Sequence, residues 1–503
     1  MTPPRENTLQ SLIRFPLDIL IIGGGIVGSG VVRDAAMRGL RVGLIEQHDF
    51  AFGTSSRSSR LLHGGLRYLA QGRVGLVREA SVEKTILHII APHLAAPLPF
   101  IFPTYRTNKN WRLWQLKIGV KFYDLLCGGR NLGKSSWLNA DELAGKIPGL
   151  KTADATGAVR YFDGFTNDAR LVLDTLRSAA NAGASLVNYC RFQNAARGKF
   201  WDCEVADALS GKTFLTQARH VVNATGPWAD GLPHSRVKLR VTKGIHLVVE
   251  RARLPVPETV VMTEGKRILF AIPWGERTIL GTTDTDYSGS RDRVTADAED
   301  IRYVLEIANQ FFPAAKLAAA DVAGSWAGLR PLVADPHGKP SDISRSHEIK
   351  NPEPGWWDVA GGKLTTYRLI AEQAVDKIVA ALQTENDSAQ KIIPCATADE
   401  VLLPASETQN VSGILPPEFC RRVVEHFCAN EWAIHLDDVM VRRTSWHHYH
   451  GDAAQKAELV AHWMGELFGW TDAQRAAEIA RYLAAHCQSA EKFSSAQFKT
   501  NPL

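Results

Sequence analysis

Residues 17–28 have the sequence Leu-Asp-Ile-Leu-Ile-Ile-Gly-Gly-Gly-Ile-Val-Gly, in which a short apolar run is followed at once by a G-x-G-x-x-G pattern. An apolar run of this length is typical of a buried parallel strand. The apolar residues after the glycines recur at helical spacing until Arg38 and Gly39, a basic last turn with a glycine cap. A second apolar segment, residues 41–46, follows. The sequence therefore predicts a strand–turn–helix–strand unit of the dinucleotide-binding type.

Each part of this unit has its own expected role. Gly23 permits the tight turn, Gly25 lets the backbone approach a pyrophosphate, and Gly28 lets the helix pack on the strand. The amides at the helix N-terminus then face the phosphates. Glu46, at the end of the second strand, is expected to accept hydrogen bonds from the adenosine ribose. A carboxylate at that position also disfavours the 2'-phosphate of NADP.

Two further turns of small residues lie far along the chain. One, Asn-Ala-Thr-Gly (223–226), ends an apolar strand, and the other, Ala-Gly-Gly-Lys-Leu-Thr-Thr-Tyr (360–367), opens a helix. An NAD enzyme contacts its cofactor largely from one contiguous domain, whereas three separated turns suit a long ligand with a flavin at one end. The sequence thus predicts FAD as the cofactor.

Length and composition argue against nucleic-acid-binding, secreted and membrane-spanning proteins. A chain of 503 residues accommodates two or three domains, and 45% apolar with 22% charged residues is ordinary for a globular protein. The net charge of +5 is too small to indicate nucleic acid. Seven scattered cysteines predict a reduced, cytoplasmic protein. The N-terminal residues lack the apolar run of a signal peptide, and no apolar stretch of about 18 residues predicts a transmembrane helix.

The pattern along the chain predicts three domains. We expect a discontinuous FAD-binding domain over residues 16–90, 151–236 and 346–385, a substrate-binding or cap domain over 91–150 and 237–345, and a helical C-terminal domain over 386–503. Residues 237–333 are rich in strand patterns, and residues 421–428 and 455–468 have helical periodicity.

Several longer motifs occur in order. They are Ile-Ile-Gly-Gly-Gly-Ile (21–26), Thr-Ser-Ser-Arg-Ser-Ser (54–59), Leu-His-Gly-Gly-Leu-Arg-Tyr-Leu (62–69), Asn-Ala-Thr-Gly-Pro-Trp (223–228), Gly-Thr-Thr-Asp-Thr-Asp (281–286), Leu-Arg-Pro-Leu (329–332), Gly-Gly-Lys-Leu-Thr-Thr-Tyr-Arg (361–368) and Asp-Asp-Val-Met-Val-Arg-Arg-Thr (437–444). Together they closely resemble the FAD-dependent, respiratory glycerol-3-phosphate dehydrogenases over nearly the whole chain.

This resemblance implies a fold and an activity. The implied fold is α/β, with a glutathione-reductase-like FAD-binding Rossmann domain, a mixed-sheet substrate domain and an α-helical C-terminal domain. The implied reaction is oxidation of sn-glycerol 3-phosphate to dihydroxyacetone phosphate, with electrons passed to a membrane quinone. An oxygen-using oxidase, an amine or amino-acid oxidase of similar fold, and a flavin-binding sensor without turnover are the alternatives. The sequence leaves the oligomeric state open, with a homodimer as one option.

Oxidising a secondary alcohol phosphate with a flavin needs a hydride acceptor, a base for the hydroxyl proton and a cationic pocket for the phosphate. The resemblance places Arg330 and Arg345 in the phosphate pocket. Arg67, beside Tyr68, is a further substrate-binding candidate, and Lys363 is expected to act on the substrate oxygen or the reduced flavin.

The base is less sharply indicated. His63, before two glycines, and His246, at a strand start, are alternatives, with Arg330 as an assisting residue. The expected cofactor-binding residues are Gly23, Gly25, Gly28, Glu46, Thr54, Ser55, Ser59, Ala224, Gly226, Gly362, Leu364 and Thr365. Residues 447–450, His-His-Tyr-His, have no accompanying cysteines or carboxylates, so we expect them to be exposed to solvent and to bind no metal.

Residues 110–125 predict an amphipathic helix with two apolar faces. At 100° per residue, one face carries Trp111, Trp114, Ile118, Phe122 and Leu125, the other carries Leu113, Leu116 and Val120, and Lys117 and Lys121 lie between them. Tryptophan and lysine together are typical of interfacial helices. We expect one face to contact the inner face of the cytoplasmic membrane, with a wholly buried helix as the alternative.

Overall fold

The computed structural model describes residues 4–69, 72–108, 110–128, 131–265, 267–333, 347–385 and 392–486. The strands are β1 (Leu17–Ile22), β2 (Val42–Ile45), β3 (Leu61–Leu62), β4 (Ala96–Tyr105), β5 (Ser136–Leu138), β6 (Ala155–Phe165), β7 (Ser185–Val187), β8 (Cys190–Arg197), β9 (Trp201–Asp207), β10 (Thr213–Asn223), β11 (Leu239–Glu250), β12 (Thr259–Glu264), β13 (Arg267–Trp274), β14 (Arg277–Gly281), β15 (Thr285–Asp286), β16 (Val322–Val333), β17 (His347–Glu353) and β18 (Trp356–Gly361).

The helices are α1 (Arg5–Arg14), α2 (Ile26–Met37), α3 (Val74–Ile90), α4 (Leu113–Leu126), α5 (Ala140–Lys146), α6 (Asp168–Asn181), α7 (Ala298–Phe311), α8 (Tyr367–Thr384), α9 (Ala405–Thr408), α10 (Arg421–Asn430), α11 (Trp446–Tyr449), α12 (Ala453–Phe468) and α13 (Asp472–His486). A π-helical segment, Asp438–Arg443, precedes α11. None of the helices described combines the length and apolar character needed to cross a bilayer.

The first sheet carries the predicted dinucleotide-binding unit. Its strands run in the order β17-β18-β10-β1-β2-β7, and β1 pairs in parallel with both β2 and β10. Helices α2, α6 and α8 pack together over this sheet and share its apolar core. The predicted order of strand, glycine turn, helix and strand is confirmed, because β1, α2 and β2 follow one another with the turn between β1 and α2.

The second sheet is mixed, as expected. Its order is β15-β11-β14-β13-β12-β4-β6-β3, β16 pairs with β11, and β5 pairs with β6. The pair β12–β4 is parallel, whereas β4–β6 and β11–β16 are antiparallel. Helix α7 contributes to the core on one side of this sheet, and α4 contributes to a second core with β4 and β6. Helices α10 to α13 form a separate helical core. The predicted fold class is confirmed.

The domain bounds stay a prediction, but the pairing of β6 differs from them. Residues 155–165 were expected in the FAD-binding segment 151–236, yet β6 pairs with β4 in the second sheet. Strand β3, from the expected segment 16–90, joins the same sheet through β6. The composition changes near residue 150, whereas strand pairing depends on a partner about 60 residues away.

Helix α4 has one buried and one exposed face. Leu116 and Val120 are buried, while the exposed fractions of Trp114, Ile118 and Leu125 are 58%, 63% and 70%. The alternative of a wholly buried helix is therefore wrong. Trp111 lies before the helix, and its indole donates to the carbonyl of Gly265 at 3.1 Å.

The expectation of exposed histidines at 447–450 is wrong. His448 is buried against Trp326, with ring centroids 5.0 Å apart, and His447 Nδ1 lies 2.7 Å from the Tyr482 hydroxyl. Tyr482 belongs to α13, which covers α11 and which local periodicity does not reveal. Among the described residues no group of His, Cys, Asp and Glu is arranged to hold a metal ion.

Candidate active site

The first glycine turn packs directly against the second small-residue turn. Gly23 has a φ of +111°, and a Cβ at this position would lie 2.6 Å from the carbonyl oxygen of Ala224. A Cβ on Gly28 would lie 1.9 Å from the carbonyl oxygen of Gly23. Side chains at either position would separate β1, α2 and the turn after β10. The absence of side chains therefore keeps the N-terminus of α2 open, as a pyrophosphate requires.

Glu46 faces this turn from the end of β2. Its Oε2 accepts a hydrogen bond from the Gly24 amide at 2.7 Å, and its Oε1 accepts from the His48 amide at 2.9 Å. Burial raises the pKa of Glu46 to about 6, although these two amides act in the opposite direction. Carboxylate oxygens have further lone pairs for a ribose hydroxyl. Its predicted role at the ribose is compatible with this geometry.

The Ser/Thr-rich loop connects the glycine turn to the second sheet. Ser55 Oγ accepts from the Ile26 amide at 3.0 Å, in the first turn of α2. Thr54 Oγ1 donates to the carbonyl of Leu329 in β16 at 2.5 Å. Ser55 therefore bonds this loop to α2, and Thr54 bonds it to β16. Both residues also line the space next to the glycine turn. Their contact with FAD stays a prediction.

One cavity of about 570 Å³ connects these elements, within the ordinary size range of a ligand site. The predicted residues that line it are Gly23, Gly25, Glu46, Thr54, Ser55, Ser59, His63, Ala224, Gly226, His246, Arg330, Gly362, Lys363, Leu364 and Thr365. Gly28 lies beneath the turn rather than in the wall. The glycine turn, the open helix N-terminus and the extended cavity suit a dinucleotide such as FAD.

Other wall residues escaped the sequence analysis. They include Phe52, Arg57, Asp168, Arg191, Trp228 and Arg291. Arg57 stands inside the Thr-Ser-Ser-Arg-Ser-Ser motif, where a charged residue in a Ser-rich loop was the available signal. Arg291 forms an ion pair with Asp230, and this pairing across 61 positions has no local signature.

His246 is buried on β11 and still reaches the cavity. Its Nε2 lies 2.7 Å from Ser59 Oγ, and its ring stacks on Trp326 with centroids 5.3 Å apart. Burial lowers the pKa of His246 to about 3, and the charges of Arg330 and Arg60 act in the same direction. A neutral imidazole has a lone pair with which to accept a proton.

The other candidate base, His63, lines the same cavity. Its backbone amide donates to Thr365 Oγ1 at 3.0 Å, which joins two of the predicted motifs. The two glycines that follow His63 form a turn, in which Gly65 has a φ of +82°. Both candidate bases thus remain at the cavity.

Arg330 lies on β16 beside β11. Its Nη1 donates to the carbonyl of Thr283 and to Asp284 Oδ1, each at 3.0 Å, and its Nη2 donates to Thr282 Oγ1 at 2.9 Å. A Cβ on Gly244 would lie 2.3 Å from Arg330 Nη2, so this glycine makes room for the guanidinium. Gly244 and His246 are two residues apart on β11 and share a face.

The remaining substrate candidates differ in how far the structure describes them. Lys363 lines the cavity, and its Nζ lies 4.1 Å from the ring centroid of Tyr68, which is buried behind it and does not line the cavity. The side chain of Arg67 and the whole of Arg345 lie outside the described residues.

A buried polar network supports the turn after His63, and no local sequence pattern indicated it. The Gly64 amide donates to the Tyr123 hydroxyl at 2.9 Å, and this hydroxyl donates to Asp163 Oδ1 at 2.5 Å. Lys84 Nζ donates to the same carboxylate oxygen at 2.9 Å. Burial, with Asp163, raises the pKa of Tyr123 well above its usual value, so the phenol stays protonated. Helix α4 thus reaches the cavity turn through Tyr123.

The chain is similar to known flavoproteins. A family model described as FAD dependent oxidoreductase matches residues 18–376. Glycerol-3-phosphate dehydrogenase 2 of Mycobacterium tuberculosis is 36% identical, over 95% of this chain and 89% of that protein. The aerobic glycerol-3-phosphate dehydrogenase of Bacillus subtilis is 38% identical, over 78% of this chain and 72% of that protein. The solved glycerol-3-phosphate dehydrogenase of Bacillus halodurans, complexed with FAD, has a TM-score of 0.75 and 26% identity, over 99% of each chain.

Proposed function

Because the chain belongs to the family of FAD-dependent glycerol-3-phosphate dehydrogenases, we propose that it oxidises sn-glycerol 3-phosphate to dihydroxyacetone phosphate and passes the electrons to a membrane quinone. The prediction of FAD as the cofactor is confirmed by the family match. The observation that carries the substrate assignment is the relationship to dehydrogenases of this name over 95% of the chain. The cationic side chains of Arg330 and Lys363 and the neutral imidazole of His246 at the cavity are consistent with this substrate.

We assign a separate role in the reaction to each of several side chains at the cavity. Arg330 and Lys363 supply positive charge for the phosphate and for negative charge that develops during oxidation. His246 or His63, both at the cavity, accepts the proton of the substrate hydroxyl. Bound FAD supplies the hydride acceptor. Ser59, at 2.7 Å from His246 Nε2, fixes the orientation of the imidazole ring.

Anaerobic addition of glycerol 3-phosphate to the purified holoprotein tests this proposal. The yellow flavin absorbance is expected to bleach, whereas glycerol without its phosphate should leave it unchanged. Arg330→Gln should raise the glycerol 3-phosphate concentration needed for half-maximal bleaching by about 100-fold, because the ligand loses a charged partner. Arg240→Gln on the same strand pair, at an exposed ion pair with Asp286, is the matched control. Absence of bleaching in the wild type would refute the proposed substrate.

The electron acceptor is proposed on different grounds. The exposed face of α4 presents Trp114, Ile118, Phe122 and Leu125 to solvent. Lys117 and Lys121 place their ammonium groups 5.0 and 5.8 Å from the ring of Trp137, which is itself exposed. Large apolar side chains beside lysines are suited to an anionic bilayer surface. We propose that α4 rests on the inner face of the cytoplasmic membrane, where quinone is available.

Vesicle sedimentation tests the membrane proposal. The double variant Lys117→Glu and Lys121→Glu should leave anionic vesicles at salt concentrations where the wild type stays bound. Lys212→Glu, in the exposed turn between β9 and β10, should not change binding. Equal binding by all three proteins would contradict a docking role for α4.

Two further measurements test the electron acceptor and the oligomeric state. Hydrogen peroxide formation in place of quinone reduction would assign the chain to the oxidases. Mass photometry would separate a monomer from a homodimer.

A further inference from the structure

The C-terminal helices meet the FAD-binding sheet at a buried cluster of charges. At its centre is Asp49, in the loop 46–52 that follows β2, and the side chain is completely buried. Its carboxylate accepts from Arg442 Nε and Arg443 Nη1, from Arg443 Nη2 at 2.8 Å and from Asn188 Nδ2 at 3.0 Å. Both arginines belong to the π-helical segment before α11. π-helical turns are rare and occur frequently at functional sites.

The two arginines are anchored from their own domain as well. Arg442 Nη2 donates to Asp437 at 3.0 Å and to Asp438 at 2.5 Å, and Arg443 Nη2 donates to the carbonyl of Glu431 at 2.6 Å. Burial alone raises the pKa of Asp49, but Arg443 and Arg442 outweigh it and hold that pKa below its usual value. Asp49 is therefore an ionised group bound to guanidinium groups fixed by the C-terminal domain.

The loop that carries Asp49 also holds the first glycine turn. The Gly24 amide donates to Glu46 Oε2 at 2.7 Å, and the Ala51 amide donates to the carbonyl of Gly24 at 3.0 Å. Phe50 packs between this turn and the C-terminal domain, with its ring edge-on to Trp432 at 5.2 Å. Loop 46–52 thus holds both backbone groups of Gly24 while Asp49 is bound from behind.

Arg442 also stands behind the cavity wall itself. Its guanidinium carbon lies 5.9 Å from the ring centroid of Phe52, and that of Arg57 lies 5.3 Å from the same ring. Phe52 and Arg57 both line the cavity, whereas Asp49, Arg442 and Arg443 do not. Burial, with the nearby charge of Arg442, lowers the pKa of Arg57 to about 10. The C-terminal domain therefore backs the same wall that carries Glu46.

We propose that the C-terminal domain is a cofactor-retaining element, in which Arg442 and Arg443 bind Asp49, hold loop 46–52 against Gly24, and so set the affinity for the adenosine half of FAD. These three are positioning residues, because they act through Glu46, Ala51 and Phe52. The inference requires the FAD cofactor but not the proposed substrate. Failure of either idea therefore leaves the other testable.

Reconstitution of the apoprotein with FAD tests this role. Asp49→Asn and Arg442→Gln should raise the dissociation constant for FAD by about ten-fold or more, a usual size of coupling between sites. The matched control is Glu407→Gln, which breaks the ion pair with Arg177 between α6 and the C-terminal domain, outside the Asp49 cluster. Glu407→Gln should change FAD affinity by less than two-fold.

Half-ligands separate positioning from general support of the fold. ADP carries the adenosine half of the cofactor and FMN carries the flavin half, so the variants should lose affinity for ADP but keep it for FMN. Arg442→Lys keeps the charge behind Phe52 and serves if the other variants do not fold. It should weaken ADP binding less than Arg442→Gln. Equal loss of ADP and FMN affinity, or a Glu407→Gln effect as large as that of Asp49→Asn, would overturn the proposal.

Discussion

His246 is a buried histidine that reaches a ligand cavity, and its surroundings keep it neutral. With a pKa of about 3, the imidazole is uncharged from pH 5 upward. If it is the base, His246→Gln should slow anaerobic flavin reduction by about 100-fold or more. The wild-type rate should also show no acid limb near pH 6.5. Stopped-flow bleaching by glycerol 3-phosphate measures both.

His63→Gln is the companion variant for this experiment. A comparable loss of rate in His63→Gln, with a normal rate in His246→Gln, would move the role of base to His63. Normal rates in both would refute both candidates. Saturating FAD in all assays keeps an effect on cofactor binding out of the comparison.

Gly244 tests the residue-scale claim that space, as well as charge, defines the phosphate site. A Cβ at this position would lie 2.3 Å from Arg330 Nη2. Gly244→Ala should therefore displace the guanidinium and raise KM for glycerol 3-phosphate by about 10- to 100-fold, since small displacements are costly in active sites. Gly145→Ala in α5, where a Cβ meets no atom within 4 Å, is the control. An unchanged KM in Gly244→Ala would mean that Arg330 does not bind the phosphate.

The sequence predicted single residues well where a backbone motif carries the information. Gly23 and Glu46 were expected at the turn and lie there, because the turn geometry depends on neighbours close in the chain. Tyr123 and Arg57 were missed, since their partners lie on other elements. The exposed assignment of His448 was wrong for the same reason. The side chain of His448 packs against Trp326 of β16, which lies more than 100 residues earlier in the chain.

At the scale of elements, α4 joins the proposed membrane face to the cavity turn. Its two-faced pattern was predictable, but the hydrogen bond from Gly64 to Tyr123 was not, because β3 and β6 were expected in the other domain. Tyr123→Phe removes a hydroxyl that serves both Gly64 and Asp163 and leaves those groups without it. We expect a loss of about 1–3 kcal/mol in the free energy of unfolding.

Denaturant unfolding of the FAD-loaded protein measures this loss. Tyr105→Phe is the control, since that hydroxyl donates to the Lys151 carbonyl at an exposed site, and a loss below about 0.5 kcal/mol is expected. Tyr123→Phe should also slow flavin reduction if the turn positions His63. If the free energies of unfolding of Tyr123→Phe and Tyr105→Phe were equal, the hydrogen bonds of the Tyr123 hydroxyl would not stabilise the protein to the expected extent.

For the whole molecule, buried neutral histidines dominate the response to mild acid. Seven described histidines have pKa values lowered mainly by burial: His48, His220, His246, His447, His448, His450 and His486. The unfolded chain protonates each histidine below about pH 6.5, whereas in the folded protein the pKa is about 4 for His220 and His447 and about 3 for His246 and His486. Unfolding therefore takes up protons in this window. Stability is lost as the pH falls, by up to about 1.4 kcal/mol per pH unit for each histidine.

Five described groups act in the opposite direction, and they do not reverse the sign. Burial raises the pKa of Glu46 to about 6 and also raises the pKa values of Glu83, Asp168 and Asp438. The pKa of His435 is raised because hydrogen bonding to Glu478 outweighs its burial. These five groups favour proton binding in the folded state, and the seven histidines outnumber them. The thermal midpoint of the FAD-saturated protein should thus be about 5 °C or more lower at pH 5.5 than at pH 7.

A single histidine provides the internal check on this balance. His447→Gln replaces a ring that lies 2.7 Å from the Tyr482 hydroxyl by an amide able to bond the same group. The variant should keep the midpoint at pH 7 nearly unchanged and lose part of the drop at pH 5.5, since one proton fewer is taken up on unfolding. A drop equal to that of the wild type would show that His447 is not buried in its neutral form. A midpoint that does not fall between pH 7 and 5.5 would contradict the neutral state of the whole set.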